Sequence, residues 1–210
     1  MRISVIGAAG RTGREVVAQA LSHGHGVTAL VHGRPLAMSD SDLRVVSGDV
    51  LDFHSVSSAV LGQDAVVFAV SDARGSAGNG SVLVDGIANV IHAMATYRVN
   101  KLVAISASGT FNRQDRRLSL GQRALINTTQ RAVYDDLEAM ESRIMASDLD
   151  WTIVRPIGLI DGPLTGDYRV SLEGAVLKGA KKVSRADVAA LALKALSGTT
   201  YSRRAVTIGL

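Results

Sequence analysis

The sequence predicts an α/β fold, a single Rossmann-type domain over residues 1–210 built on one doubly wound, mostly parallel sheet with helices on both faces. Three observations predict it. Short runs rich in Val and Ile alternate with longer segments of helical period, as βαβ units require. The stretch VIGAAGRTGREVV at 5–17 places Gly7, Gly10 and Gly13 between the first such run and the first helical segment. A content of 47% hydrophobic and 20% charged residues suffices to bury one sizeable core, and no internal repeat divides it.

In chain order, the strands are expected at 2–6 (RISVI), 27–31 (VTALV), 43–47 (LRVVS), 64–70 (DAVVFAV), 101–106 (KLVAIS), 151–155 (WTIVR) and 204–208 (RAVTI). Helices are expected at 11–23, 54–61, 81–97, within 121–147, and at 185–197, the last opened by the capping pattern of Ser184 and Asp187. The segments 71–80, 107–120 and 157–170 lack regular period. Each follows the carboxyl end of a strand, the edge at which open α/β sheets bind ligands.

The glycine turn has a chemical reason. Gly7 permits a tight exit from the strand, Gly10 the close approach of a phosphate, and Gly13 close packing of helix on sheet. The backbone N–H groups and positive helix N-terminus then face a pyrophosphate, with the Thr12 hydroxyl beside it. The spacing is GxxGxxG rather than GxGxxG, so its position between strand and helix carries the weight. After the second strand, where NAD-preferring proteins place an acid against the ribose 2′-hydroxyl, the chain reads His32-Gly33-Arg34. Together with Arg11, these residues favour NADP. Asp49 in SGDV is positioned to accept from the adenine amino group, with Val50 beside it, although a turn or cap role fits Asp49 as well. Ala69 and Val70 at the end of the fourth strand, Ser106 after the fifth, and Pro156 and Ile157 after the sixth complete the expected cofactor contacts.

Composition excludes other chemistries. There is no cysteine, hence no disulfide, thiolate nucleophile or Cys-ligated metal, and the five histidines show no zinc-binding spacing, so no metal is expected. Basic residues outnumber acidic ones by 23 to 19 but are scattered apart from pairs such as Arg116-Arg117, Lys181-Lys182 and Arg203-Arg204, which reads as a solvated surface and not as a nucleic-acid tract. No apolar run approaches the roughly 18 residues of a membrane span, and the N-terminus reads as a strand without a leader. A cytoplasmic monomer or homodimer is expected, with no membrane partner.

GAAGRTG, SGDV, GQDAVVFAV, ISASG, DWTIVRP and SRADVA together resemble the atypical short-chain dehydrogenase/reductases over most of the chain. Within that group the chain is similar to the NmrA-like NAD(P)-binding proteins, and most of all to the biliverdin-IXβ (flavin) reductase family, through GRTG, GDVL and the Pro163–Tyr168 segment PLTGDY. The resemblance implies a single Rossmann domain that uses NADPH to reduce flavins and tetrapyrroles. Gly7, Gly10, Arg11, Thr12 and Gly13 would hold the pyrophosphate and ribose phosphate, and Asp49 and Val50 would flank adenine. Two positions depart from it: the family's arginine after the second strand falls on His32, so Arg34 must reach back, and its histidine ahead of PLTG falls on Gly158.

Ketone reduction in short-chain dehydrogenases pairs a serine with Tyr-x-x-x-Lys on the next helix, where the lysine lowers the phenol's pKa. Tyr97 and Lys101 have that spacing but precede the serine strand; Tyr134 is followed four residues later by Glu138; Tyr168 and Tyr201 have no lysine partner. The expected activity is therefore hydride transfer to a flavin, quinone or tetrapyrrole-like acceptor, an aromatic or conjugated small molecule that delocalises charge and takes its proton from solvent. An NADP-binding redox sensor without turnover is the alternative. Ser106 and Ser108 are the candidate active-site hydroxyls, Ser108 in the favoured register, with Phe111 and Asn112 expected to cover the nicotinamide and Arg155 beside them. Asp135 and Asp136 read as a solvated helix face.

Overall fold

A computed structural model describes residues 1–71, 81–110, 131–175 and 177–210. Its strands are β1 (Arg2–Ile6), β2 (Gly26–Val31), β3 (Leu43–Ser47), β4 (Ala65–Phe68), β5 (Lys101–Ile105), β6 (Asp150–Pro156), β7 (Leu159–Ile160), β8 (Arg169–Ser171), β9 (Val183–Ser184) and β10 (Arg204–Gly209). The helices among the described residues are α1 (Arg11–Ser22), α2 (Phe53–Val60), α3 (Val82–Tyr97), α4 (Arg131–Met145) and α5 (Arg185–Leu196). All seven expected strands are present within two residues at each end. The short β7, β8 and β9 were not anticipated, because two- or three-residue strands leave no periodicity to read.

The main sheet runs β3-β2-β1-β4-β5-β6-β10-β8, parallel except for β8, which pairs antiparallel with β10. Chain order reverses between β1 and β4, which makes that gap the switch point where ligands bind in such sheets. Register aligns the strand ends across the sheet: Val46, Leu30, Ile6, Phe68, Ala104 and Ile153 lie side by side. The residues that follow them are thereby gathered on one edge.

Two cores sandwich the sheet. Val16, Val17 and Ala20 of α1 pack with Val188, Leu191 and Ala192 of α5 on one face. On the other, α3 lies between α2 and α4 and buries Leu83, Ile87, Val90 and Met94 with Leu137, Met140 and Ile144. Each such aliphatic side chain contributes about 1.5–3 kcal/mol by leaving water, and the sheet strands are apolar on both faces for the same reason. The cap read at 184–187 is present: Ser184 Oγ accepts from the Asp187 N–H at 2.9 Å. Asp52 does the same for α2, accepting from His54 and Ser55.

Candidate cofactor and substrate site

At the β1–α1 turn each glycine meets a different constraint. Gly7 has φ +85°, and a Cβ there would lie 2.8 Å from the Ala69 carbonyl oxygen; a Cβ on Gly13 would lie 2.3 Å from the Gly7 carbonyl oxygen. Both glycines are thus required by the fold itself. Gly10 differs: its Cβ would approach only the Gly7 oxygen at 3.1 Å and the Ala69 oxygen at 3.9 Å, with the remaining space opening into two cavities. Gly10 is also the N-cap of α1 and offers no side-chain acceptor, and no acidic residue occupies the first turn. The helix therefore presents its first N–H groups and positive dipole end to whatever enters.

The first cavity, about 280 Å³, is lined by Gly7, Gly10, His32, Arg34, Asp49, Val50, Ala69, Val70 and neighbouring apolar residues. The second, about 290 Å³, is lined by Gly10, Arg11, Thr12, Ala69, Val70, Ser106 and a set of apolar side chains. Gly10, Ala69, Val70 and Ser71 belong to both, so the cavities meet at the end of β4 beside the helix N-terminus. The sequence extended the fourth strand over 69–70; these residues leave it after Phe68 and form that junction instead.

In the first cavity, Asp49 Oδ1 accepts from the Leu51 N–H at 3.0 Å and Oδ2 lies 3.6 Å from His32 Nε2. The turn role and the cavity position of Asp49 thus coexist. Asn89 on α3, which sequence reasoning missed, donates to the Val50 and Leu51 carbonyls at 3.0 Å each and fixes this turn. Arg11 is not brought together with His32 and Arg34: it lines the second cavity, its guanidinium 3.6 Å from Asp161. Asp161 also accepts from Arg185 at 2.6 Å, and Arg185 lines the same cavity.

The second cavity is otherwise apolar. Leu83, Ile105 and Leu159 line it, and α4 presents Val133 and Leu137 to it, an i,i+4 pair. Tyr134 turns to the serine turn instead, where a Cβ on Gly109 would lie 2.4 Å from its ring. Ser106 lines the cavity; Ser108 does not, and its N–H donates to the Pro156 carbonyl at 3.0 Å. Pro156 and Ile157 stand outside both cavities, and Ile157 Cδ1 packs against Gly209. Phe111 and Asn112 lie outside the described residues. Lys101 is engaged elsewhere, donating to Asp150 at 2.6 Å and to the Gly198 carbonyl.

Behind Ser106 stands Glu141, wholly buried, which accepts from the serine hydroxyl at 2.5 Å and is gripped by Arg155. Glu141 was absent from the sequence-derived candidates. Its signal was a carboxylate on the apolar stripe of Leu137, Met140 and Ile144. The PLTGDY segment is tied to α5 by Asp187, which accepts from the Thr165 N–H and hydroxyl, the Gly166 N–H and the Ser184 hydroxyl. Burial raises the Asp187 pKa, but the bonds from Gly166, Ser184 and Thr165 outweigh it and hold the carboxyl below the ordinary 3.8. The half-buried Tyr168 phenol is pushed above 10 by burial first, then by Tyr201 and Asp187.

A family model described as NAD(P)H-binding matches residues 7–199. The chain belongs to that NAD(P)H-binding family. An uncharacterized chloroplastic protein of Arabidopsis thaliana is 30% identical to this NAD(P)H-binding chain over 215 residues, covering 99% of it and 76% of the plant protein. Uncharacterized proteins of Mycobacterium tuberculosis and Mycobacterium bovis are 37% identical over 107 residues; the match takes in 51% of this chain but only 12% of their length. Among solved structures, a Veillonella parvula short-chain dehydrogenase/reductase in complex with NADP superposes with a TM-score of 0.81 at 17% identity, covering 100% of this chain and 94% of that one. An anaerobilin reductase from Escherichia coli O157:H7 gives 0.77 at 20% identity, covering 99% and 96%. At these identities the likeness establishes the shared fold, the one that the motif resemblance implied. No helix among the described residues is long and apolar enough to cross a membrane.

Proposed function

We propose that the protein is an NADPH-dependent reductase of flavin-, quinone- or tetrapyrrole-like acceptors that works without a tyrosine–lysine proton donor. The observation that carries this is the junction of the two cavities at an uncapped, glycine-lined helix end, with the apolar Val133 and Leu137 as the side chains that α4 presents to the second cavity. The residues fit a dinucleotide: the space beside Gly10 is one that a Cβ would fill. The N–H groups of the first turn of α1 and the Thr12 hydroxyl would hold the pyrophosphate. His32, Arg34, Asp49 and Val50 would hold the adenosine half, Arg34 supplying the fork for a 2′-phosphate.

When bound, the nicotinamide supplies a hydride. The chain's own contribution is positional. The end of β4 separates the two halves of the site, and the apolar walls exclude water from a flat conjugated acceptor. Arg11 and Arg185 stand at one side of the second cavity, available to an anionic edge. Asp161 pairs with both, 3.6 Å from Arg11 and 2.6 Å from Arg185.

An NADP-binding sensor draws on the same absence, among the described residues, of a phenol–amine pair lining the cavity, so activity separates the two. Titration should show binding of NADPH, and steady-state assays with riboflavin and a benzoquinone should show its oxidation. Tight binding with no oxidation of NADPH by either acceptor would leave the sensor. No binding of NADPH or NADH would defeat both readings.

A further inference from the structure

The serine that reaches the second cavity carries one proton, and its neighbours determine where that proton goes. Ser106 Oγ lies 2.5 Å from Glu141 Oε1. Arg155 donates from Nε to both carboxylate oxygens, at 3.1 and 3.2 Å, and from a terminal nitrogen to Oε2. A guanidinium only donates, and an uncharged carboxyl would leave a buried cation without its counter-charge. Both Glu141 oxygens are thus acceptors, and the bond from Ser106 runs toward Glu141. Thr110 Oγ1 is 3.3 Å from Ser106, but its proton goes to the Ala107 carbonyl at 2.8 Å. No proton is left to point from Ser106 into the cavity.

We infer that Ser106 is a hydrogen-bond acceptor toward bound ligand, its polarity fixed by Glu141 and Arg155, so that the site selects a ligand presenting an N–H donor there and delivers no proton from that point. The inference rests on the reductase reading and sharpens it. A ketone oxygen awaiting a proton meets lone pairs at Ser106, whereas an amide, imide or pyrrole N–H meets a partner. Two sources share that chemistry, the carboxamide of the cofactor and an N–H of the acceptor. Glu141 acts through the serine and is a positioning residue.

The test is equilibrium binding to wild type, Ser106→Ala and Glu141→Gln with two matched pairs of probes. NADP is compared with its 3-acetylpyridine analogue, which replaces the carboxamide NH₂ by methyl. Lumiflavin is compared with 3-methyllumiflavin, which lacks the imide N–H. Wild type should prefer the N–H member of at least one pair by about five- to tenfold, and the pair that shows it identifies the source. Ser106→Ala should erase that preference. In Glu141→Gln the new amide can donate to Ser106 and turn its proton toward the cavity, so the preference should vanish or reverse, which a merely structural role would not produce. If thermal unfolding shows that Glu141→Gln does not fold, Ser106→Ala decides alone, because it leaves the Glu141–Arg155 pair intact. Equal binding within both pairs by wild type, or a preference that survives Ser106→Ala, would overturn the inference. Failure of wild type to bind either dinucleotide would instead defeat the reductase reading on which it rests.

Discussion

Three glycines in one turn serve different ends, and substitutions should separate them. Gly13→Ala forces a Cβ against backbone at 2.3 Å and should cost about 1–3 kcal/mol, seen as a lower thermal midpoint. Gly10→Val should retain most of its stability yet lose NADPH binding, because its methyls enter the junction of the cavities rather than the packed turn. Equal loss of stability in both variants would contradict that division. Cofactor choice is also a residue-scale matter. Arg11 lines the second cavity, its guanidinium 3.6 Å from Asp161, which leaves Arg34 as the guanidinium lining the first among the described residues. Arg34→Ala should therefore weaken NADPH relative to NADH by about 1.5–3 kcal/mol, while Arg11→Ala should affect the two alike. Paired titrations of NADPH and NADH check both. The sequence showed that basic residues cluster near the loop; which of them share a cavity depends on side-chain direction, which no spacing records.

Two elements carry charge inside the protein, and their behaviour is testable. Between α4 and β6, Arg155 neutralises the buried Glu141; removing it by Arg155→Ala strands a carboxylate and should cost about 3–5 kcal/mol, read as a loss of urea midpoint. At the N-terminus of α5, Asp187 holds the Thr165–Gly166 turn, and its carboxyl lies below the ordinary 3.8 in the folded state. A depressed folded pKa contributes stability that is complete above 3.8 and is lost as the pH falls through the folded value. Asp187→Asn should therefore flatten the acid limb of stability against pH, and an unchanged limb would remove Asp187 from that role. The cap was legible as Ser184 followed by Asp187 at N3. The second duty of Asp187, bonding a loop some twenty residues upstream, was not, because it joins segments with no sequence relation. Glu141 is similar: periodicity placed it on the apolar face of α4, but only the pairing of β5 with β6 brings Ser106 and Arg155 to it.

At the scale of the whole molecule, the doubly wound, mostly parallel sheet was readable from the alternation of apolar runs and helical stretches, and the glycine turn marked the edge onto which both cavities open. What remained illegible was the make-up of the second cavity, since Val133, Leu137, Leu159 and Arg185 converge there from α4, β7 and α5. At that convergence the side chains that α4 turns to the cavity, Val133 and Leu137, are apolar, and the Tyr134 ring lies against Gly109. The proposed chemistry then follows from geometry, with hydride passing to an acceptor that spreads its own charge and draws its proton from water. The most direct measurement is oxidation of NADPH by a flavin in Tyr134→Phe, Tyr168→Phe and Gly10→Val, assayed side by side with wild type. Both Phe variants should keep kcat within severalfold, and Gly10→Val should lose activity through loss of NADPH binding. A thousandfold or greater fall in kcat for either Phe variant, equivalent to about 4 kcal/mol of barrier, with NADPH affinity unchanged, would reinstate a tyrosine acid and contradict the account.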